Sequence, residues 1–224
     1  MLGPVVAWYL VMLGLGMGLT VLLLTAYLYI SPRWLKWVLL VIGVFVISRY
    51  VTMALFATSA NPNTWWGLRR CWFATSVGLT FPGVVALDQL VRHPAMTPKK
   101  LMQWFSPFLG AYAVVLLLGQ FELVPDPVVG MSPRVVGWAV GVLAFVQAVF
   151  VTGFLGVSLL LIKKLPSPRI QMALAGLMVA YASLGLDGLL VALHRWYVRP
   201  FLFSEIAALV ALWFAFDTAR HHSL

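Results

Sequence analysis

Seven runs of about twenty mostly apolar residues, separated by short polar links, constrain this chain more than any other feature. A helix needs about twenty apolar residues to cross the hydrocarbon core of a bilayer. No water reaches the backbone there, so a crossing segment must satisfy its own N–H and C=O groups, as a helix does. The runs predict helices over about 5–30, 37–58, 68–91, 101–121, 135–162, 170–193 and 201–218. Ser31-Pro32 breaks the first run, Asn61-Pro62-Asn63 ends the second, and Pro125, Asp126 and Pro127 form the link after the fourth. Short links make sequential helices antiparallel neighbours. The expected fold is therefore an all-α, seven-transmembrane-helix bundle, with residues 1–224 as one domain.

Charge supports the same conclusion. Charged residues make up 9% of the chain and apolar ones 62%. Soluble domains carry about 25% charged residues. Lipid must therefore solvate the outside, and membrane lipids are the first expected partner. The formal charge of +9 does not point to nucleic acid, because the basic residues sit in small clusters between the apolar runs. Met1 to Ile30 has no basic leader and no nearby small-residue cleavage site, so it reads as a retained first helix. A single cysteine, Cys71, excludes an intrachain disulfide and a multi-cysteine metal site.

Loop charges give an orientation. One side holds Arg33, Lys36, Arg92, Lys99, Lys100, Lys163, Lys164, Arg169 and Arg220. The other holds Arg69, Arg70, Arg134, Arg195 and Arg199, with Glu122 and Asp126. The bias predicts an outside N-terminus and a cytoplasmic C-terminus. Trp34, Trp37, Trp65, Trp66, Trp104 and Trp196 fall near predicted helix ends, as an interfacial belt requires. Trp65-Trp66 also has the makings of a ligand platform. Gly14-x-x-x-Gly18 and Gly137-x-x-x-Gly141 place paired glycines on one helix face, where helices can approach closely.

The residues that can carry chemistry are the intramembrane polar groups, which are costly and often functional. Arg49 lies within the second helix, Asp187 in the sixth between Gly185 and Gly188, and Glu205 early in the seventh. Alternating helix direction collects Arg49, Tyr50, Arg70, Glu122, Asp187, His194 and Glu205 in one half of the bundle, with Trp66. These eight residues form the candidate ligand site, a polar pocket among helices 2, 3, 6 and 7. Arg49 would hold a small anionic ligand there, or pair with Asp187 or Glu205. The alternative is a set of ion pairs that fix helix register without a ligand. Asp88 with Arg92, and Asp217 with Arg220, read as local helix-end pairs at the other face.

Enzyme chemistry is not expected. The chain has no His-Glu-x-x-His, no Gly-x-Ser-x-Gly and no phosphate-cradling glycine loop. His93 and His194 fall at opposite faces and cannot share a metal. The seventh helix has no Lys to carry a retinal Schiff base. No cofactor is expected.

The third and later helices resemble a known architecture. Trp72-Phe73, then Pro82, then Val84-Val85-Ala86-Leu87-Asp88-Gln89-Leu90 before a basic loop is similar to the seven-helix sensor region N-terminal to many bacterial histidine kinases. Lys163-Lys164, Arg169-Ile170-Gln171, the late Asp187 and the exit Phe214-Ala215-Phe216-Asp217 extend the likeness. The resemblance implies a sensor in a bacterial cytoplasmic membrane that signals to a cytoplasmic or membrane protein partner. No kinase sequence follows Leu224, so the resemblance implies a stand-alone sensor-like module, or an output domain in a partner or left out of this chain. The expected function is a sensor or receptor-like module. The alternatives are a small oligomeric transporter or channel, and an accessory subunit of a membrane complex.

Overall fold

The structure is a computed structural model that describes residues 4–59, 61–92, 96–126, 130–165, 167–192 and 201–221. Among the described residues, seven helical spans are long and apolar enough to cross a membrane. Six are single helices: α1 (Pro4–Tyr27), α2 (Arg33–Thr58), α5 (Pro98–Leu118), α6 (Trp138–Ile162), α7 (Pro168–Ala192) and α8 (Phe201–His221). The third span is composite. It opens with a 3-10 turn (Cys71–Phe73), continues as the short α3 (Thr75–Gly78), and resumes as α4 (Thr80–Val91).

Its break corrects the expected continuous helix from 68 to 91. Pro82 has no N–H to give the carbonyl of Gly78, and its ring crowds the preceding turn. The chain re-forms at Leu79, whose carbonyl accepts the Gly83 N–H at 3.2 Å. The hydroxyl of Tyr181, from α7, donates to the same carbonyl. A Cβ on Gly83 would lie 2.1 Å from the Tyr181 oxygen. The proline therefore opens the helix, and the glycine admits the buried tyrosine that fills the opening.

Packing places α4 and α8 at the centre. These two spans bury the largest share of their residues. α8 packs against α1, α4 and α7, while α4 also meets α5 and α6. Phe81, Phe105, Phe150, Phe154 and Tyr181 form one aromatic cluster there, with the Phe154 and Tyr181 rings 4.6 Å apart. Outside, Val41, Leu118, Phe145, Leu160 and Val179 are exposed, as lipid contact requires. Exposed Trp8 and Trp138 mark one end of the bundle, and exposed Trp34, Trp37 and Trp104 the other. Several hydroxyls within the spans bond back to their own helix: Thr20 donates to the Gly16 carbonyl at 2.8 Å and Thr52 to that of Ser48 at 2.7 Å.

The fourth span stops at Leu118 rather than 121, with Gly119 as its cap. The link after it is a β-hairpin of β1 (Gln120–Asp126) and β2 (Gly130–Val136), antiparallel with Phe121 opposite Val135 and Glu122 opposite Arg134. Phe121, Leu123, Pro133 and Val135 are wholly or partly buried, whereas Glu122 and Arg134 are exposed. The hairpin thus lies over one end of the bundle, with β2 against α2 and α6. The paired glycines correct another expectation. Gly14, Gly18 and Gly141 face open space, and Gly137, at φ 67°, serves as the N-cap of α6. Close approach falls to other glycines, Gly16 and Gly83 among them.

Candidate functional site

Arg49 and Glu205 meet inside the bundle. Arg49 leaves α2 about nine residues before its end, and Glu205 lies in the second turn of α8. Antiparallel packing puts both in the half nearer the hairpin. α1 packs against α2 and α8 together. Arg49 Nη2 bonds Glu205 Oε1, and Nε approaches Oε2 at 3.4 Å. The Tyr50 hydroxyl donates to Oε2 at 3.3 Å. The pair is closed to lipid and solvent: Arg49 is 6% exposed, Glu205 2% and Tyr50 0%. Gly16 of α1 makes room for this, since a Cβ there would come 3.0 Å from Tyr50 Cζ.

This arrangement uses the charged groups on one another. Each ion loses hydration when buried, and recovers it only through a good partner. The carboxylate has accepted the two-donor approach of the guanidinium and a phenol as well. Of the two partners considered for Arg49, Glu205 is the one engaged. Asp187 is half-buried on α7 and makes no ion pair or hydrogen bond among the described residues. His194 lies outside the described residues. Among the described residues, the expected site therefore does not converge on one pocket.

Trp66 and Glu122 belong to a second place. The 3-10 connection Pro62–Leu68 and β1 face each other across an open groove of about 420 Å³, lined by Asn63, Trp66, Phe121, Glu122 and Leu123. The Arg69 guanidinium lies 4.7 Å from the Trp66 ring centroid and 5.8 Å from that of Phe121, a cation–π arrangement. It also donates to the Trp66 carbonyl at 2.8 Å. Asn61 caps the connection by accepting the Asn63 N–H at 3.2 Å. Arg70 is exposed and reaches the Leu117 carbonyl at 3.5 Å, outside the groove lining. Asn63, Phe121 and Leu123 went unread as site residues. The signal for Phe121 and Leu123 was the alternation Gln120-Phe121-Glu122-Leu123, which marks a strand with one apolar face.

At the other end of the bundle the charges reach beyond their own helices. Asp217 pairs across helices with Arg169 at 3.1 Å, and with His221 at 3.5 Å. Arg92 turns out of α4 and donates to the Gln89 and Ala219 carbonyls at 3.3 and 3.2 Å. Among the described residues no three His, Cys, Asp or Glu side chains are grouped to hold a metal.

Compared with protein-family models, curated proteins and solved structures, the chain finds no significant match. What stands is a multi-pass bundle of seven apolar spans, with no specific sensor family attached to it.

Proposed function

We propose that the chain is a membrane sensor or receptor-like module that binds a small amphipathic molecule or lipid beneath its hairpin and signals to a partner. The observation that carries this reading is the groove between the Pro62–Leu68 connection and β1. Its 420 Å³ falls in the range of about 300–1,000 Å³ typical of small-molecule sites. Two aromatic side chains offer a flat apolar bed, while Glu122 and Asn63 offer polar contacts at its edge. Such a groove suits a ligand with an apolar body and a donor or cationic group.

The assignment changes the role of the intramembrane charges. Arg49, Tyr50 and Glu205 act as a lock between α2 and α8, and the ligand meets Trp66 and Glu122 instead. The hairpin touches α2 and α6, so a ligand that tilts it acts on two spans at once. The break at Leu79, held by Tyr181, gives the central span a place to bend.

The test is mass spectrometry of small molecules and lipids that co-purify in mild detergent. Wild type is compared with the Trp66→Ala/Phe121→Ala variant. A molecule retained by wild type and lost from a folded variant is the expected result. Identical profiles would remove the groove as a binding site. Solute flux through liposomes holding only this protein would move the reading to a transporter.

A further inference from the structure

We propose that the groove at the hairpin end takes a short extended peptide, which adds a third strand to the free edge of β1. The inference rests on the reading of that groove as a binding site and names the class of its ligand. The groove is lined by Phe121, Glu122 and Leu123, three consecutive residues of β1, and by no described residue of β2. Along a strand, successive side chains point to opposite faces. A groove that meets three in a row therefore runs along the edge of the strand, on the side away from β2. Among the described residues, no backbone hydrogen bond joins residues 120–124 to any element but β2.

Which groups that edge presents follows from the prolines. In an antiparallel pair, directly opposite residues alternate between exchanging both ladder bonds and turning both groups outward. Leu123 stands opposite Pro133, and Pro125 opposite Met131. Proline has no N–H to exchange, and within sheets its nitrogen faces outward. Both prolines fall on the same phase of the alternation, so theirs are the outward-turning pairs. Phe121, two residues before Leu123, shares that phase. The N–H and C=O of Phe121 and of Leu123 therefore point into the groove. The two edges of the hairpin differ in kind. On β2 the outward series is Met131, Pro133 and Val135, interrupted by a proline, and β2 packs against α2 and α6. Proline and covering elements are what keep an edge from pairing with another chain. β1 has no proline over residues 120–124, and an open groove lies beside it.

Side chains set the composition of the peptide. Phe121 turns to the face where Trp66 and the Arg69 guanidinium lie. Residues opposite Phe121 and Leu123 in an added antiparallel strand share that face, where apolar side chains lie against Trp66. Glu122 turns to the other face and is exposed. It makes no ion pair among the described residues, and Arg134 stands opposite it on β2. On the groove side, no described basic residue belongs to the lining. A basic side chain on the added strand would meet Glu122 there, on the face away from Arg69. The edge thus suits a segment in which apolar residues alternate with basic ones. In strand addition, backbone bonds from the sheet edge give affinity and alternate side chains give specificity.

The test titrates the purified full chain in detergent with capped five-residue peptides of alternating valine and lysine, read by calorimetry against empty micelles. In a strand paired antiparallel to Phe121 and Leu123, the valine nitrogens face β1 and the lysine nitrogens face away. Methylating the valine nitrogens removes two backbone bonds and is expected to weaken binding about tenfold or more. Methylating the lysine nitrogens is expected to change it by less than about threefold. These controls alter the ligand and leave the fold of the protein untouched. The reverse pattern would keep the site and make the added strand parallel. Glu122→Gln is expected to weaken the lysine peptide about threefold. Two methylated peptides that bind alike, well or not at all, would overturn the proposal. Dodecyltrimethylammonium, which has no peptide backbone, separates this inference from the reading it rests on. Its binding, lost in Trp66→Ala/Phe121→Ala, with no binding of the unmodified peptide, would leave the groove to other amphipathic molecules and overturn the peptide. Binding of neither would overturn both. A dimer of the chain that Leu123→Pro abolishes would give the edge to a second copy and also overturn the peptide.

Discussion

Two ion pairs at opposite ends of α8 have similar chemistry and opposite surroundings. Arg49–Glu205 lies inside the bundle, with side chains 7% and 2% exposed. Arg169–Asp217 lies at the other end, with side chains 47% and 27% exposed. In the first, burial keeps water from both ions, so each depends on protein partners, the other ion foremost. In the second, water and salt stand in for a lost partner. The difference teaches that a charge in a membrane protein is a structural commitment in proportion to its burial.

Substitutions can break this comparison. Glu205→Leu should have the largest effect, because it strands the Arg49 guanidinium. A loss of about 3–5 kcal/mol is expected. It should appear as a large fall in the thermal midpoint in detergent, or as failure to recover a monodisperse protein. A Glu205→Leu variant as stable as wild type would mean that Arg49 finds another partner or reaches the interface.

Tyr50→Phe comes next. It removes one hydrogen bond to a charged acceptor and leaves the ring over Gly16. The cost should be about 1.5–3 kcal/mol, read from the same melting curves.

Arg169→Ala should change stability by less than about 1 kcal/mol, and that small effect should fade as salt is raised. An effect as large as that of Glu205→Leu would erase the contrast between the two ends.

The smallest change is expected of Arg49→Leu/Tyr50→Phe/Glu205→Leu, which leaves neither a stranded charge nor a buried hydroxyl without its acceptor. Buried pairs replaced by apolar residues are often neutral in stability. Near-wild-type melting of this combined variant, beside a damaged Glu205→Leu variant, would show that the three residues act as one unit. If the pair only sets helix register, binding at the hairpin groove should survive in that combined variant.

The groove and the lock were legible to different degrees. Arg49, Tyr50 and Glu205 stood out because an ionisable group in an apolar run is conspicuous. Their depth also followed from counting residues along antiparallel helices. Trp66 and Glu122 were named, but assigned to the same pocket as Arg49. Counting gives height in the bundle, and says nothing about which side of it a residue faces. The hairpin was missed because Pro125, Asp126 and Pro127 read as a plain link. The alternation at residues 120–123 was absorbed into the end of the fourth helix.

By itself, the sequence determined seven helices long and apolar enough to cross a bilayer, and roughly where each begins and ends. The reason is local: in hydrocarbon a segment must be apolar and must satisfy its own backbone, and both conditions are written in consecutive residues. The tertiary structure alone decided that Arg49 pairs with Glu205 rather than Asp187, and that Tyr181 fills the break beside Gly83. It also decided that Trp66 faces Phe121 across a groove. Those outcomes depend on which helix faces which, and that is set by the packing of many side chains from distant parts of the chain, not by any one segment.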